Sequence, residues 1–364
     1  MSNLKSKFFS KYLLPGFVFQ SVIIGGGYGT GRELVEFFMN EGPLGGLWGM
    51  LLAMTIWSIV LAVSFELARL GKNYDYRSFI NSILGKGWIG YEVVYSIALI
   101  LVISVLGSAS GKLLYSMFEL PEIAGVLVMM FVVGLIVFYG SSLIEKVLSI
   151  WSFALYAVFL ILIVICLVFF GDVITRNIGI YQEGSHWFLG GLKYSAYNIG
   201  ILPAILFVVR HIETRKEALI SGTIAGAMGM IPGLFIFIAM LSQYPEILTQ
   251  SIPVDFLLSK LGYPIFYLIF QIILFGTFIE TGVGLIHGFN ERIAGVYQEK
   301  GAEMPRLLRI GIGAGILILA VFIADAVGIV KLIAKGYGAI TWGFMIAFVI
   351  PVLTIGVWRI VKTN

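Results

Sequence analysis

Apolar runs of membrane-crossing length follow one another along almost the whole chain. Short polar joins divide them into ten segments, at 12–38, 45–70, 88–118, 123–139, 143–170, 187–209, 218–241, 264–296, 307–329 and 337–361. A helix needs roughly 20 apolar residues to cross a bilayer, and each run approaches that length. The pattern predicts an all-α integral membrane protein of about ten transmembrane helices. Two joins carry a pattern of their own. In "GKNYDYRSFINSILGKGW" the apolar Phe79, Ile80, Ile83 and Leu84 recur at helical spacing, predicting a short surface helix between spans two and three. The second half of "SQYPEILTQSIPVDFLLSKLG", between spans seven and eight, has the same spacing and predicts a helix capping an outer vestibule.

Two spans break the smooth apolar pattern. Span one contains "IIGGGYGTGRELVEFF", with Gly25, Gly26, Gly27, Gly29 and Gly31 in seven residues and Arg32, Glu33 and Glu36 directly after. Inside lipid each unsatisfied backbone group costs several kcal/mol, so irregular backbone persists only where it lines a protein cavity or binds something. The run therefore predicts two half-helices, about 12–24 and 31–39. Carbonyls at the end of the first half can bind a cation, and the amides opening the second an anionic group. Span six reads "LKYSAYNIGILPAILFVV", where Asn198, Gly200 and Pro203 form a second interruption at mid-span. Tyr28, Tyr194 and Tyr197 flank the two breaks. Gly25, Gly27, Tyr28, Gly29, Tyr197, Asn198 and Gly200 are the expected substrate-binding positions. Arg32 and Glu36, at i,i+4 spacing, either pair on one helix face or form an outer gate.

The spans divide evenly around the polar segment 171–187. Residues 1–170 form a first five-helix repeat, and residues 171–364 a linker and a second. An odd number of spans per half forces the halves into opposite orientation, a common transporter plan. Seventeen of the 24 Lys and Arg residues fall on the side that carries both termini, which predicts cytoplasmic termini. The N-terminal stretch is basic, then apolar, and has Pro15-Gly16 inside the apolar part; it reads as a retained first helix rather than a signal peptide.

Composition agrees with a membrane chain: 59% hydrophobic, 12% charged, mean hydropathy +0.99. The net charge of +4 gives no reason to expect nucleic acid. One cysteine, Cys166, rules out a disulfide framework. His186, His211 and His287 fall in different segments, and no HExxH, CxxC or GxSxG occurs, so no enzyme chemistry is expected. "GGGYGTG" follows an apolar helix and lacks GK[ST], which sets aside a phosphate loop.

"GGGYGTGREL" in span one, "YNIGILP" in span six and the ten-span plan resemble the YkvI-type bacterial membrane proteins of the amino acid–polyamine–organocation superfamily. The resemblance implies the LeuT-like 5+5 inverted-repeat fold with helices 1 and 6 discontinuous. It also implies alternating access, with spans 1, 2, 6 and 7 moving against a scaffold of spans 3, 4, 8 and 9. The substrate would sit between spans 1, 3, 6 and 8.

Glu280 lies near the centre of span eight, where a carboxylate is costly and marks function. Thr277 and Thr281 add oxygens beside it. By the LeuT-like resemblance, Glu280 and Thr281 occupy cation-site positions facing the carbonyls of Ile23 to Gly26. Relatives coupled to sodium show paired Ser/Thr there, and this chain has Glu. Glu280 is thus either an anionic ligand for sodium or a proton carrier. No organic cofactor is expected, and the coupling ion is sodium or a proton. The sequence predicts a cation-coupled secondary transporter of a small organic solute, an amino acid or related amine, in the bacterial cytoplasmic membrane. A non-transporting sensor with the same fold is the alternative. The partners are the small-molecule substrate and the lipid bilayer; no oligomeric state follows from the sequence.

Overall fold

The structure, a computed structural model, describes residues 7–139, 141–180 and 186–362. Seven helices in it are long and apolar enough to cross a membrane, and Glu122–Phe138 is a shorter apolar one. The remaining two spans are the interrupted ones. Span one is built from Leu14–Ile23, Gly26–Gly29 and Arg32–Phe37. Span six is Trp187–Ile199 followed by a 3₁₀ stretch, Leu202–His211. The protein is a multi-pass all-α membrane protein. Gly140, just before the join "SSLIEK" (141–146), lies outside the described residues, and 141–146 are the first turns of the span-five helix, Ser141–Ile178.

Local chemistry sets the element ends. Span two, Pro43–Gly71, starts on a proline after Gly42, whose φ of 81° favours glycine. Span seven, Arg215–Met240, opens with a capping box: Thr214 accepts from the Glu217 amide, and Glu217 accepts from the Thr214 amide. The surface helix forms over Tyr76–Leu84, capped by Asp75 and burying Phe79, Ile80 and Ile83. The helix between spans seven and eight forms over Pro253–Leu261. Span five runs further than its apolar run, through a kink at Phe170, and ends at Ile178. Asn177 ties this polar end to the 3₁₀ turn after span seven: its Nδ2 donates to the Leu241 carbonyl at 2.7 Å.

The spans pack in two groups. Spans one, two, six and seven are joined at backbone distance through glycines. A Cβ on Gly222 would lie 2.3 Å from the Ala62 nitrogen, and one on Gly226 2.5 Å from the Ser58 nitrogen. Small residues at i and i+4 thus bring spans two and seven into contact. Gly191 meets the Gly49 carbonyl in the same way, joining span six to span two. In the other group, Gly125 of span four sits against the Ser110 carbonyl of span three. Spans eight, Pro264–Glu299, and nine, Arg306–Val327, pack on spans three and four. The broken stretch of span one lies where the two groups face each other.

Candidate functional site

The first helix of span one makes its last bond from the Ile24 amide to the Gln20 carbonyl, 2.9 Å. Ile24 (φ −79°, ψ 86°) and Gly25 (φ −115°, ψ −157°) then run extended. Helix resumes for one turn at Gly26–Gly29, and Gly31, with φ 79°, redirects the chain into Arg32–Phe37. The Ile24 carbonyl faces span eight and accepts from the Thr281 hydroxyl at 3.3 Å. The scaffold presses closely here: a Cβ on Gly26 would lie 3.2 Å from the Leu106 backbone, and one on Gly25 3.4 Å from the Thr281 methyl.

Span six is interrupted differently. Gly200 and Ile201 keep right-handed helical angles, and the helix tightens to 3₁₀ rather than unwinding. Pro203 has no N–H to give to either the Ile199 or the Gly200 carbonyl. The Tyr91 hydroxyl from span three donates to Gly200 instead, at 2.6 Å.

A cavity of about 190 Å³ opens beside the breaks, on the side of the protein that carries the termini. Ser21 of span one, Tyr95 of span three, Ile205 of span six and Glu280, Thr281 and His287 of span eight line it. Glu280 and Thr281 are 2% and 4% exposed. His287 is two helical turns from Glu280 on the same face and also lines a larger hollow of about 780 Å³ between spans four, eight and nine. Among the described residues, no three His, Cys, Asp or Glu side chains gather to hold a metal ion.

The expected site residues separate into groups. Thr281 and the Ile24 carbonyl meet, and Glu280 lines the cavity beside Thr281. Thr277 is buried, but its hydroxyl donates to the Ile273 carbonyl in its own helix. The Ile23 carbonyl accepts from the Gly25 amide inside the bend. Gly29 faces Leu274 of span eight. Tyr28 turns away from the cavity, its hydroxyl donating to the Gly229 carbonyl of span seven at 3.1 Å. Gly200 is covered by Phe344, whose ring lies 2.3 Å from where a Cβ would stand. Asn198 Nδ2 donates to the Tyr194 carbonyl one turn back.

Beyond the break the opposite side is sealed. Arg32 and Glu36 pair at 3.2 Å. The Arg32 guanidinium also donates to the carbonyls of Leu248 (3.1 Å) and Gln250 (3.0 Å), and the Val254 amide donates to the Thr30 carbonyl at 3.0 Å. The loop before span eight is thereby bound to the second half of span one. Its helix is held in turn by Asp255, which accepts from Tyr267 at 2.7 Å and from Gln271. Burial pushes the Asp255 carboxyl above its usual range, against the lowering effect of those donors.

The sequence reading missed three residues here. Glu33, noted only as part of a charged run, is 4% exposed and accepts from the Tyr197 hydroxyl at 2.5 Å. Its carboxylate lies over Gly27, where a Cβ would stand 2.1 Å from Oε1. The place expected to receive a substrate's anionic group thus holds a carboxylate of the chain itself. Tyr91 was legible only as an aromatic in span three. His287 had a signal, its seven-residue spacing from Glu280.

No family model matches the chain. It is 23% identical over 336 residues to YkvI of Bacillus subtilis (strain 168), an uncharacterized membrane protein, covering 88% of this chain and 89% of that one. Among solved structures it is similar to MhsT in complex with L-phenylalanine (TM-score 0.68, 15% identity, 92% of this chain and 88% of that one). A sodium-coupled sialic acid symporter in a substrate-bound outward-open state gives TM-score 0.64 at 11% identity, over 92% and 78% of the two chains. A manganese transporter of Eremococcus coleocola gives 0.56 at 15% identity, over 95% and 79%. The resemblance to YkvI-type membrane proteins and the LeuT-like fold, with helices 1 and 6 discontinuous, both hold.

Proposed function

We propose that the protein is a cation-coupled secondary transporter of a small organic solute, an amino acid or related amine, working by alternating access. One observation carries the reading: a buried carboxylate and a threonine hydroxyl line one cavity, and that hydroxyl bonds the carbonyl left free by the break in span one. A carboxylate at that depth is costly to maintain without a role. Glu280, Thr281 and the Ile24 carbonyl offer hard oxygens that suit sodium, and the same carboxylate can carry a proton. The symporters and transporters of like fold support transport as the class of activity. The Lys and Arg asymmetry supports cytoplasmic termini. With that orientation the cavity opens inward and the seal at Arg32 faces outward, so this conformation is the inward-facing one. Movement of spans one, two, six and seven against spans three, four, eight and nine would exchange the two. Residues 1–170 and 171–364 would be the two inverted repeats.

The test is uptake into proteoliposomes with sodium and proton gradients imposed separately. A gradient of one of the two ions is expected to drive accumulation, and Glu280→Gln to abolish that dependence while the protein still elutes as a folded species. Gradient-driven uptake undiminished in Glu280→Gln would remove the carboxylate from the mechanism.

A further inference from the structure

On the sealed side of the break, Glu33 sits in a ring of aromatic side chains. The rings of Phe37, Tyr194, Tyr197 and Tyr337 pack in sequence: Phe37 to Tyr194 at 5.8 Å, Tyr194 to Tyr197 at 5.6 Å, Tyr197 to Tyr337 at 4.7 Å. All four are at most 5% exposed, and so is Glu33. The Tyr197 hydroxyl is the carboxylate's hydrogen-bond donor. Among the described residues no Lys or Arg forms an ion pair with Glu33. The Tyr194 hydroxyl, also buried, has no hydrogen-bond partner there. Beside the carboxylate, the Tyr194 hydroxyl is therefore shut inside an apolar, aromatic enclosure with its bonding capacity unused, which is costly unless something else engages it.

We propose that Glu33 and this aromatic ring form the recognition site for an organic ammonium group, so that the substrate is an amine that needs no carboxylate. This rests on the transport reading and narrows it. The electron-rich faces of Tyr and Phe attract an alkylammonium ion, and a carboxylate beside them fixes its charge. A hard metal ion would want several oxygens, and the ring offers carbon faces. A substrate carboxylate would meet the Glu33 carboxylate over Gly27, and like charges in a site closed to water repel strongly. The neutral backbone of Gly27 admits Glu33 because it lacks a side chain. The site is closed here by its own aromatic side chains, and release of the seal at Arg32 would let the rings part around a ligand.

Binding, read without transport, separates this proposal from its premise. Purified wild-type protein would be titrated with two matched sets, following the thermal unfolding midpoint. One set is phenethylamine, phenylalanine and 3-phenylpropionate; the other is 3-methylbutylamine, leucine and 4-methylpentanoate. At least one amine is expected to raise the midpoint saturably, its amino acid to bind about tenfold more weakly or worse, and its acid not at all. Glu33→Gln should weaken the amine by about tenfold or more while keeping the unliganded midpoint, and Tyr197→Phe should weaken it less. An amino acid that binds as tightly as its amine, amine affinity unchanged in Glu33→Gln, or no response to any amine overturns the proposal. Amine binding through Glu33 with no ion-driven flux would instead defeat the transport reading and leave this one standing. Ion-driven uptake of amino acids, and of no carboxylate-free amine, by the wild-type protein would do the reverse.

Discussion

The Tyr91 hydroxyl holds a carbonyl that proline leaves without its helical partner. Pro203 cannot donate to Gly200, and the phenol of span three does so at 2.6 Å in a buried setting. Interhelical hydrogen bonds in membranes average roughly 0.6 kcal/mol, and an orphaned buried carbonyl adds to that, so Tyr91→Phe is expected to cost about 1 kcal/mol. The drop should appear as a lowered thermal unfolding midpoint, with span six losing hydrogen-exchange protection near residue 200 first. The proline is visible in the sequence, whereas its remedy lies 109 residues away and leaves no local mark. The same holds for Glu33. Its place beside Arg32 invites reading it as one more gate charge, and only the turn at Gly31 brings it back over Gly27. Tyr28 errs the other way. It stands inside the glycine run, yet its ring direction takes it to span seven. Side-chain direction at an irregular bend is not periodic, so spacing does not predict it.

At the scale of elements, the position of each break was legible and its form was not. Five glycines in seven residues weaken a helix wherever they occur, and span one unwinds among them. In span six, Asn198, Gly200 and Pro203 promised a similar unwinding, but the backbone tightens to 3₁₀ instead. A single proline with helical neighbours removes donors without supplying the φ freedom that an extended bend uses. The paired contact of spans two and seven went unread. Gly222 and Gly226 are spaced like many small residues in membrane helices, and their importance depends on what faces them. It can be tested against a glycine that faces no neighbour. Gly222→Ala puts a carbon 2.3 Å from the Ala62 nitrogen, which forces two backbones apart and should cost about 1–3 kcal/mol or more. Gly315→Ala, in span nine with nothing within 4 Å of the new carbon, should be neutral or slightly stabilising by helix propensity. Unfolding midpoints of the two variants, measured side by side, check the contrast.

For the whole molecule, closure of one side depends on few bonds. Arg32 reaches Glu36 and two loop carbonyls, and bonds to a charged group are worth about 1.5–3 kcal/mol each. Losing even one of them should shift the balance between closed and open forms by about tenfold or more, tenfold corresponding to about 1.4 kcal/mol. A cysteine at Phe37, buried in this form, placed in a Cys166→Ala background, reports the shift. Its labelling by an impermeant maleimide is expected to rise at least about tenfold when Arg32→Gln is added. Unchanged labelling would mean that the seal resides elsewhere. The sequence carried the membrane class, the number of spans and the two helices in the joins, because each is written in local pattern; the meeting of Thr281 with span one was expected from the resemblance to the LeuT-like fold. The enclosed aromatic site and the glycine seam were unreadable because each depends on which distant faces meet.

The seal also has an unusual indifference to identity. Arg32 and Thr30 grip the loop through the main-chain carbonyls of Leu248 and Gln250 and the amide of Val254. Every amino acid supplies the carbonyls, and every one but proline the amide. The side chains at 248–250 are therefore not what the grip reads, and the path of the ribbon alone is kept.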